Sequence, residues 1–277
     1  MRLTVPAPAK VNLFLHVTGR RADGYHLLES LMAPIDLADT LVLERRDDGV
    51  VRRTQEVDGV GADEDLAGRA AHALRQASGT PRGVDYTLHK RIPLGSGLGG
   101  GSSDAASMLI ALNRLWSLGL SRAALSAIGV SLGADVPFFI GEGPAIARGI
   151  GEALVPVTLP VQWLVLATPP VHVATASIFA APELTRSTPS AKMNVFSAVY
   201  GRNDLEPVAA ARFPDISSAL ADLQRVAPQA RMSGSGASVF AAFASEGDAR
   251  AAAAMLPPHR HARIVRTLAR HPLASLA

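Results

Sequence analysis

The sequence contains no cysteine and almost no lysine. Without cysteine, the chain can form neither a disulfide framework nor a thiolate metal site, and it is compatible with a reducing compartment. Its lysines are Lys10, Lys90 and Lys192, so 24 of the 27 basic residues are arginines. Because a compact ammonium has rotating donors that a planar guanidinium lacks, each lysine in such a chain is a candidate for a specific role.

Long apolar runs are missing as well. No stretch approaches the roughly 18 residues that a membrane-spanning helix needs. Pro6, Pro8 and Lys10 stand where a signal peptide would place its apolar segment. We therefore expect a cytoplasmic protein without a membrane partner.

Charge is sparse, and neither sign dominates. Charged residues make up 18% of the chain, apolar residues make up 48%, and the formal net charge is +3. This composition is typical of a folded protein, and 277 residues suffice for one large domain or two ordinary ones. The arginine pairs Arg20–Arg21, Arg45–Arg46 and Arg52–Arg53 lack interleaved aromatic residues, so we interpret them as solvated surface and expect no nucleic-acid partner.

Glycine, in contrast, is concentrated in one short segment. Residues 93–104 read Pro-Leu-Gly-Ser-Gly-Leu-Gly-Gly-Gly-Ser-Ser-Asp and directly precede a helical pattern. Glycine lets the main chain approach a ligand closely, and consecutive amides before a helix N-terminus favour an anion. A triphosphate fits this pattern. A flexible linker is the alternative, but a linker would not run straight into an amphipathic helix.

The glycine segment matches neither of the common nucleotide signatures. A P-loop requires Gly-Lys-Ser/Thr at its end, whereas Gly101 is followed by Ser102 and Ser103. The dinucleotide fingerprint requires an initial βαβ unit with an acidic ribose ligand, which the chain does not offer. We therefore predict a phosphate cradle of another type, whose helix begins with Ser102 or Ser103 as its N-cap.

The remaining pattern mixes strands and helices without strict alternation, which favours an α+β fold. Leu3–Val17 is predicted as two strands joined by a turn at Lys10. Asp65–Ala77 is predicted as a helix and Val136–Ile140 as a strand. Prolines around residues 155–160 predict a domain boundary there.

Three segments together resemble the motifs of the GHMP kinases, small-molecule kinases whose ATP site is not a P-loop. These segments are Pro8–Leu13, Pro93–Asp104 and Ser233–Ala237. The surroundings of Lys10, Tyr25–His26 and Asp135 extend the resemblance to nearly the whole chain, toward members that phosphorylate a cytidine diphosphate-linked alcohol. The resemblance implies a two-domain fold, with a ribosomal-protein-like α/β domain over residues 1–156 and a ferredoxin-like domain over residues 157–277.

The resemblance also implies ATP and Mg²⁺ as cofactors, a small-molecule acceptor, and a monomer or homodimer. Metal ligands stay unassigned, because no carboxylate cluster marks a site in the sequence. The implied ATP contacts are Pro93, Leu94, Gly95, Ser96, Gly97, Leu98, Gly99, Gly100, Gly101, Ser102 and Ser103.

Lys10 and Asp135 are the catalytic residues that the resemblance implies. Asp135 would accept the proton of the acceptor hydroxyl or only orient that hydroxyl, and both possibilities stay open. Lys10 would stand beside the carboxylate and hold the same hydroxyl. Taken alone, an aspartate in Gly-Ala-Asp is more often a turn residue, and a lysine is more often a surface residue.

For the acceptor, the resemblance implies a nucleobase subsite. Tyr25 and Phe179 would flank a cytosine, and His26 would read its edge. Asn12 and Thr175 would hold the substrate near the phosphates. Without the resemblance, Tyr25 and His26 would be interpreted as loop residues and Phe179 as a core residue.

Two other functions remain open at this point. Another GHMP kinase, acting on a mevalonate- or homoserine-type alcohol, would not need the Tyr25–His26 pair. An ATP-sensing regulator would not need both Lys10 and Asp135.

Two positions also depart from the family. Asp65 and Asp104 stand where asparagine is frequent, and a carboxylate at Asp104 suits the helix dipole but repels phosphate.

Overall fold

Two β-sheets carry the chain, and each draws its strands from one half of the sequence. The computed structural model describes residues 1–190 and 201–276. The strands of the first half are β1 (Arg2–Arg20), β2 (His26–Arg46), β3 (Val51–Arg53), β4 (Gly83–His89), β5 (Ala145–Gly149) and β6 (Ala153–Pro156). Those of the second half are β7 (Trp163–Ala167), β8 (Arg231–Met232), β9 (Val239–Phe243) and β10 (Arg263–Arg266).

Within the described residues, the first six strands form one sheet and the last four form another. The order in the first sheet is β3-β4-β2-β5-β6, with β1 paired to β2. The order in the second sheet is β10-β7-β9-β8. All the pairs are antiparallel except β3 with β4.

The first strand is continuous where the sequence predicted a break. β1 pairs with β2 from Arg2 to Arg20, with a register shift between Pro8 and Lys10. The predicted turn at Lys10 is therefore wrong. Proline removes a ladder donor, and a bulge absorbs that irregularity without ending the strand. At this bulge the Lys10 amide donates to the Leu98 carbonyl at 2.9 Å, which ties the strand to the glycine segment.

Four helices pack against the first sheet. Their shared core includes Leu41, Leu74, Leu109 and Phe139. The first of them confirms the helix predicted over Asp65–Ala77. Its N-cap is Asp65, whose carboxylate accepts from the Ala67 amide at 2.9 Å. The helices are α1 (Leu66–Ser78), α2 (Gly100–Leu115), α3 (Arg122–Val130) and α4 (Val136–Ile140).

The segment that forms α4 was predicted as a strand, and that prediction is wrong. Pro137 lies in its first turn, where a missing N–H is tolerated because that amide has no partner within a helix. The Val136 amide donates to the Gly133 carbonyl at 3.1 Å and so starts the helical turn. A run of five apolar residues fits a buried strand or a buried helix equally well, so periodicity could not decide between them.

The glycine segment enters α2 earlier than the sequence predicted. The N-cap is Gly99, with a φ of 73°, instead of Ser102 or Ser103, and the helix begins at Gly100. A Cβ at Gly99 would lie 3.0 Å from the Phe139 ring. Glycine is therefore required there both for the backbone conformation and for space.

The helices of the second half pack against the second sheet. Their core contains Ile216, Leu223 and Ala249. Lys192, one of the three lysines, lies outside the described residues. The elements are α5 (Thr175–Phe179), α6 (Glu206–Arg212), α7 (Pro214–Val226), α8 (Glu246–Ala254) and a short 3-10 helix (Pro258–Arg260).

A third apolar cluster joins the two sheets. It contains Val11, Leu31 and Ile35 from the first sheet, with Leu164 and Phe240 from the second. The mixture of helices and strands confirms the predicted α+β class. The domain boundary between residues 156 and 157 stays a prediction, and it falls between β6 and β7. Across the part of the chain that is described, no helix is both long enough and apolar enough to span a membrane.

Candidate active site

A buried polar cluster lies where the bulge of β1 meets the glycine segment. Lys10 is only 4% exposed, and its Nζ donates to Asn12 Oδ1 at 2.6 Å. Asn12 Nδ2 donates to Ser30 Oγ at 2.7 Å, and the Asn12 amide donates to Ser233 Oγ at 3.1 Å. Because a buried charge requires partners, this network holds the ammonium in one place.

Asp135 faces the ammonium from the start of α4. Its Oδ2 lies 3.5 Å from Lys10 Nζ, and its side chain is 37% exposed. Asp135 is the N-cap of α4, but its carboxylate makes no capping hydrogen bond among the described residues. The structure therefore brings the two predicted catalytic residues together, with the carboxylate open to a ligand.

The turn at residues 233–236 supports the glycine segment. The Ser238 amide donates to the Ser96 carbonyl at 3.0 Å. A Cβ at Gly97 would lie 2.5 Å from the Ser233 oxygen and 2.7 Å from the Gly236 oxygen. The two backbones touch, and glycine at position 97 permits the contact.

Two cavities open on the two sides of the glycine segment. The central cavity, of about 380 Å³, is lined by residues that include Lys10, Asn12, Asp135, Thr175 and Phe179. The loop cavity, of about 250 Å³, lies against residues 93–102 of the segment. Gly97, Gly99 and Ser102 line both cavities. A phosphate chain lying on the segment can therefore reach from the loop cavity to the Lys10–Asp135 pair.

Most of the predicted ATP contacts line the loop cavity. Leu98 instead belongs to the core shared by the two sheets. The Ser103 amide donates to the Gly99 carbonyl at 2.9 Å, and Ser103 Oγ is buried without a hydrogen-bond partner among the described residues. These two side chains point into the protein. The residues that line the cavity are Pro93, Leu94, Gly95, Ser96, Gly97, Gly99, Gly100, Gly101 and Ser102.

A third cavity, of about 500 Å³, continues from the central one, and we call it the aromatic cavity. Tyr25, His26 and Phe179 line it, while Leu28, Ile150 and Phe179 line both. The ring centroids of His26 and Phe179 are 5.1 Å apart, and Tyr25 is 61% exposed. The three residues predicted to hold a nucleobase therefore meet around one opening, and Phe179 also packs against the core of the second half.

Thr175, predicted to hold the substrate near the phosphates, lies at the wall of the central cavity. Its Oγ1 and the Ser235 Oγ are 2.7 Å apart, so the hydroxyl is tied to the turn that supports the glycine segment. Asn12 lines the same cavity. Both predicted substrate contacts are therefore near the Lys10–Asp135 pair.

Sequence reasoning missed a buried charge cluster under the glycine segment. Lys90 Nζ lies 2.5 Å from Asp39 Oδ2 and 2.7 Å from Asp104 Oδ2. Lys90 also lines the loop cavity, and a Cβ at Gly100 would lie 3.2 Å from its Nζ. The scarcity of lysine was the one sequence feature that could have identified it.

The cluster changes the meaning of the acidic residue at position 104. Burial raises the pKa of Asp104 to about 7, against the attraction of Lys90. Burial works against the charge of Lys90, but Asp104 and Asp39 raise the pKa of Lys90 overall. The ammonium thus offsets the repulsion between Asp104 and phosphate that the sequence predicted.

The other departure from the family has a structural role. Asp65 caps α1, accepts from the Tyr86 hydroxyl at 2.7 Å, and pairs with Arg53 at 3.3 Å. Asp65 is 2% exposed. Its carboxylate therefore stabilises the N-terminal end of α1.

The residues fit a nucleotide triphosphate and a magnesium ion. The amides of the first turn of α2 lack partners within the helix, and they begin where the glycine segment ends. In residues 1–190 and 201–276, no group of three or more His, Asp or Glu side chains could hold a metal ion. Mg²⁺ commonly takes phosphates, waters and only one or two protein ligands, so the Ser102 hydroxyl beside the phosphates meets that need.

Comparison with known proteins identifies relatives over nearly the whole chain. The GHMP kinases N terminal domain matches residues 65–143, and the GHMP kinases C terminal matches residues 182–260. The chain is 54% identical over 277 residues to the 4-diphosphocytidyl-2-C-methyl-D-erythritol kinase of Cupriavidus necator, covering 98% of this chain and 95% of the relative. It is 53% identical over 273 residues to the enzyme of that name from Thiobacillus denitrificans, covering 99% and 98%.

Solved structures agree with this result. A crystal structure of 4-(cytidine 5'-diphospho)-2C-methyl-D-erythritol kinase superposes with a TM-score of 0.83 at 38% identity, covering 96% of this chain and 99% of the other. A homoserine kinase from Cytophaga hutchinsonii superposes with a TM-score of 0.72 at 17% identity, covering 98% and 95%. The second likeness shows the fold alone, and together the two confirm the predicted two-domain α+β architecture.

Proposed function

The chain belongs to the 4-diphosphocytidyl-2-C-methyl-D-erythritol kinases of the GHMP family, and from this membership we propose how its residues carry out the reaction. It is an ATP-dependent small-molecule kinase that phosphorylates 4-diphosphocytidyl-2-C-methyl-D-erythritol, in the non-mevalonate route to isoprenoid precursors. We propose that the acceptor is the 2-hydroxyl of that substrate. The function predicted from the sequence is confirmed at the level of the enzyme and its substrate.

One observation carries the proposed mechanism: the Lys10–Asp135 pair lies beside the three residues that line both the central and the loop cavity. We assign the loop cavity to ATP and the central cavity to the acceptor alcohol. The terminal phosphate then sits on the glycine segment and faces a hydroxyl held in the central cavity. This arrangement aligns the donor phosphorus and the acceptor oxygen across Gly97, Gly99 and Ser102.

Phosphoryl transfer proceeds through a loose transition state, so the protein mainly positions the reactants and balances charge. Asp135 accepts the hydrogen bond of the acceptor hydroxyl and receives its proton as the bond to phosphorus forms. Lys10, fixed by Asn12, places a positive charge beside the developing oxyanion. The amides of the glycine segment and of the first turn of α2 hold the remaining phosphate oxygens.

Magnesium is part of this proposal. When bound, the ion neutralises charge on the phosphates. The Ser102 hydroxyl would hold it from the protein side. In this proposal, all other contacts to ATP and to the acceptor come from side chains and amides of the protein.

The cytidine end of the substrate occupies the aromatic cavity in this proposal. Tyr25 and Phe179 stack on the base, and His26 donates to or accepts from its edge. Asn12 and Thr175 hold the erythritol portion near the Lys10–Asp135 pair. A cytoplasmic location, and a monomer or homodimer, complete the proposal.

The experiment that tests the proposal compares two acceptors. ATP-dependent phosphorylation is measured with 4-diphosphocytidyl-2-C-methyl-D-erythritol and with 2-C-methyl-D-erythritol, which lacks the cytidine diphosphate group. We expect turnover of the first and a much lower kcat/KM for the second. Equal kcat/KM values would contradict the assignment of the aromatic cavity, and ATP binding without ADP release would indicate a regulator. Phosphate at a hydroxyl other than the 2-hydroxyl, detected by NMR of the product, would overturn the proposed regiochemistry.

A further inference from the structure

One guanidinium connects the two sides of the aromatic cavity. Arg186 Nε donates to His26 Nε2 at 3.1 Å. The other nitrogens of Arg186 donate to main-chain carbonyls of the last residue of α5 and of the segment that follows it. The distances are 3.3 Å to Phe179 O, 2.5 Å to Ala181 O, 3.3 Å to Pro182 O and 3.0 Å to Leu184 O.

These contacts determine which nitrogen of His26 carries the proton. Arginine has five donors, no acceptor, and keeps its charge, so the nitrogen that faces it must be an acceptor. Burial, followed by the charges of Arg186 and Arg20, lowers the pKa of His26, which favours the neutral ring. In a neutral ring with Nε2 accepting, Nδ1 holds the hydrogen and is the donor.

The same contacts position the aromatic wall. α5 has only five residues, and its last carbonyls need partners beyond the helix. Arg186 supplies a partner for the last of them, the Phe179 carbonyl, and the Phe179 ring lies 5.1 Å from that of His26 at an angle of 30°. One side chain therefore sets both the orientation of the edge-reading group and the position of the stacking ring.

We propose that Arg186 is a positioning residue for nucleobase recognition: it holds His26 in the Nδ1–H form and ties Phe179 to it, so that the aromatic cavity presents a donor to a base edge that carries an acceptor. This inference rests on the proposed function, because it assumes that the base enters the aromatic cavity. A cytosine ring offers an acceptor at N3 where uracil carries N–H. Arg186 thus contributes to selecting cytidine over uridine substrates.

The first experiment reads the tautomer directly and needs no substrate. The full chain is labelled with 15N-histidine, and the ring nitrogens of His26 are assigned by comparison with His26→Gln. We expect a protonated Nδ1 and an unprotonated Nε2 in the unaltered chain, and a shift toward Nε2–H in Arg186→Met. A protonated Nε2 in the unaltered chain would overturn the proposal.

The second experiment separates positioning from general damage. Arg186→Lys keeps the charge but cannot span the five acceptors, so we expect KM for the cytidyl substrate to rise about tenfold in both Arg186→Lys and Arg186→Met, comparable to one lost hydrogen bond. KM for ATP should stay unchanged, and kcat should change far less than KM. The preference for the cytidine over the uridine diphosphate substrate should fall in parallel.

Arg212 provides the matched control. It also donates to a carbonyl of α5, at 2.9 Å to Ser177 O, and it pairs with Glu183 at 2.8 Å. Arg212→Met should leave KM for the cytidyl substrate and the His26 tautomer unchanged. An equal rise in KM for Arg212→Met, or an equal rise in KM for ATP in the Arg186 variants, would reject Arg186 as a specific positioning residue.

The two proposals fail in different ways. If the unaltered chain did not phosphorylate the cytidyl substrate, the proposed function would be wrong, and the Arg186 inference, which rests on it, would be rejected as an account of substrate recognition. If phosphorylation occurred but the tautomer and KM were insensitive to Arg186, the proposed function would stand and only this inference would be rejected.

Discussion

At the scale of single residues, the site depends on a charge that the fold has taken out of water. Lys10 is 4% exposed and is held by Asn12, while the facing Asp135 stays 37% exposed on its side chain. The buried partner is thus fixed by protein, whereas the exposed partner is free to bind substrate. This difference predicts that replacing Lys10 and replacing Asp135 have different effects on the stability of the fold.

Replacing the exposed partner should stop the chemistry and spare the fold. We expect Asp135→Asn to lower kcat by about 100-fold or more, since the amide cannot take the hydroxyl proton. The melting temperature should change little, because the carboxylate makes no capping bond and Lys10 keeps its bond to Asn12 when its ion pair with Asp135 is lost. Steady-state kinetics and a thermal melt provide the two measurements.

The control for this variant is Asp36→Asn. Asp36 is 38% exposed and pairs with Arg266 at 3.4 Å, so it matches Asp135 in exposure and in having an ion pair, and it also accepts from the Arg266 amide at 2.9 Å. Asp36→Asn should keep kcat within the error of the assay. Near-normal kcat in Asp135→Asn would remove the proposed acid–base role.

A buried histidine, His271, makes the stability of the fold depend on pH. His271 is 3% exposed, its Nδ1 accepts from the Leu273 amide at 3.1 Å, and its Nε2 is buried without a partner among the described residues. Burial, followed by the charge of Arg122, lowers the pKa of His271 to about 4 from its ordinary value of 6.5. Between these two values the unfolded chain binds the proton and the folded chain does not. Stability contributed by this residue is therefore lost as pH falls from 6.5 toward 4.

The measurement is urea unfolding at pH 7 and at pH 4.5. His271→Asn, which keeps an acceptor for Leu273, should reduce the difference in unfolding free energy between the two pH values by on the order of 2 kcal/mol. The exposed His259 serves as the control, and His259→Gln should leave that difference unchanged. An unchanged difference in His271→Asn would show that other groups cause the acid sensitivity.

At the scale of elements, the phosphate site is made by two loops that support each other. The glycine segment presses on the turn at residues 233–236, which comes from the other half of the chain. Glycines at positions 97, 234 and 236 leave no bulky side chain between the two backbones where they meet. Contact between their backbones therefore determines the position of the amides.

Gly97→Ala tests this contact. Its φ is +75°, and the added Cβ would meet two backbone oxygens of the 233–236 turn at under 3 Å. We expect KM for ATP to rise strongly and the free energy of unfolding to fall by about 2 kcal/mol or more, since strain and overpacking add. Isothermal titration with an ATP analogue and urea unfolding measure the two effects.

Gly119 is the matched control at the level of backbone conformation. Its φ is +67°, and an added Cβ would meet no described atom within 4 Å. Gly119→Ala should cost only the left-handed strain, about 1 kcal/mol, with KM for ATP unchanged. Similar effects of the two variants would mean that the loop–turn contact is unimportant for nucleotide binding.

At the scale of the whole molecule, the two halves share one core. The cluster between the sheets joins Val11, Leu31 and Ile35 to Leu164 and Phe240. Neither sheet alone can exclude water from these apolar side chains. The halves should therefore unfold together.

The two tryptophans allow this to be measured. Trp116 lies in α2's C-cap in the first half, and Trp163 begins β7 in the second. Each of the variants Trp163→Phe and Trp116→Phe keeps one tryptophan. In each variant, the unfolding transition detected by fluorescence should coincide with the global transition that circular dichroism measures on the same variant. In these backgrounds, Leu164→Ala should lower both midpoints, at a cost of about 2–5 kcal/mol. Two separate transitions would show that the halves are independent.

Local chemistry explains which parts of this molecule could be predicted from its sequence. The helical pattern that starts at Asp65 and the one that follows the crowded glycines both act over a few residues, and the structure confirms the two helices they predicted. The resemblance to the GHMP kinases then gave the site residues, and the structure places Lys10, Asn12, Asp135, Thr175, Tyr25, His26 and Phe179 around connected cavities.

Tertiary structure decided the rest, because the deciding contacts join residues that are far apart in the chain. Whether Val136–Ile140 became strand or helix depended on the core that received it, and the bulge at Lys10 depended on a carbonyl of the glycine segment. The Lys90 cluster and the bond from Arg186 to His26 likewise need partners from different elements. Sequence by itself determined the chemistry available to this protein, whereas the packing of distant side chains determined which charges are buried, which are paired, and which remain free to meet a substrate.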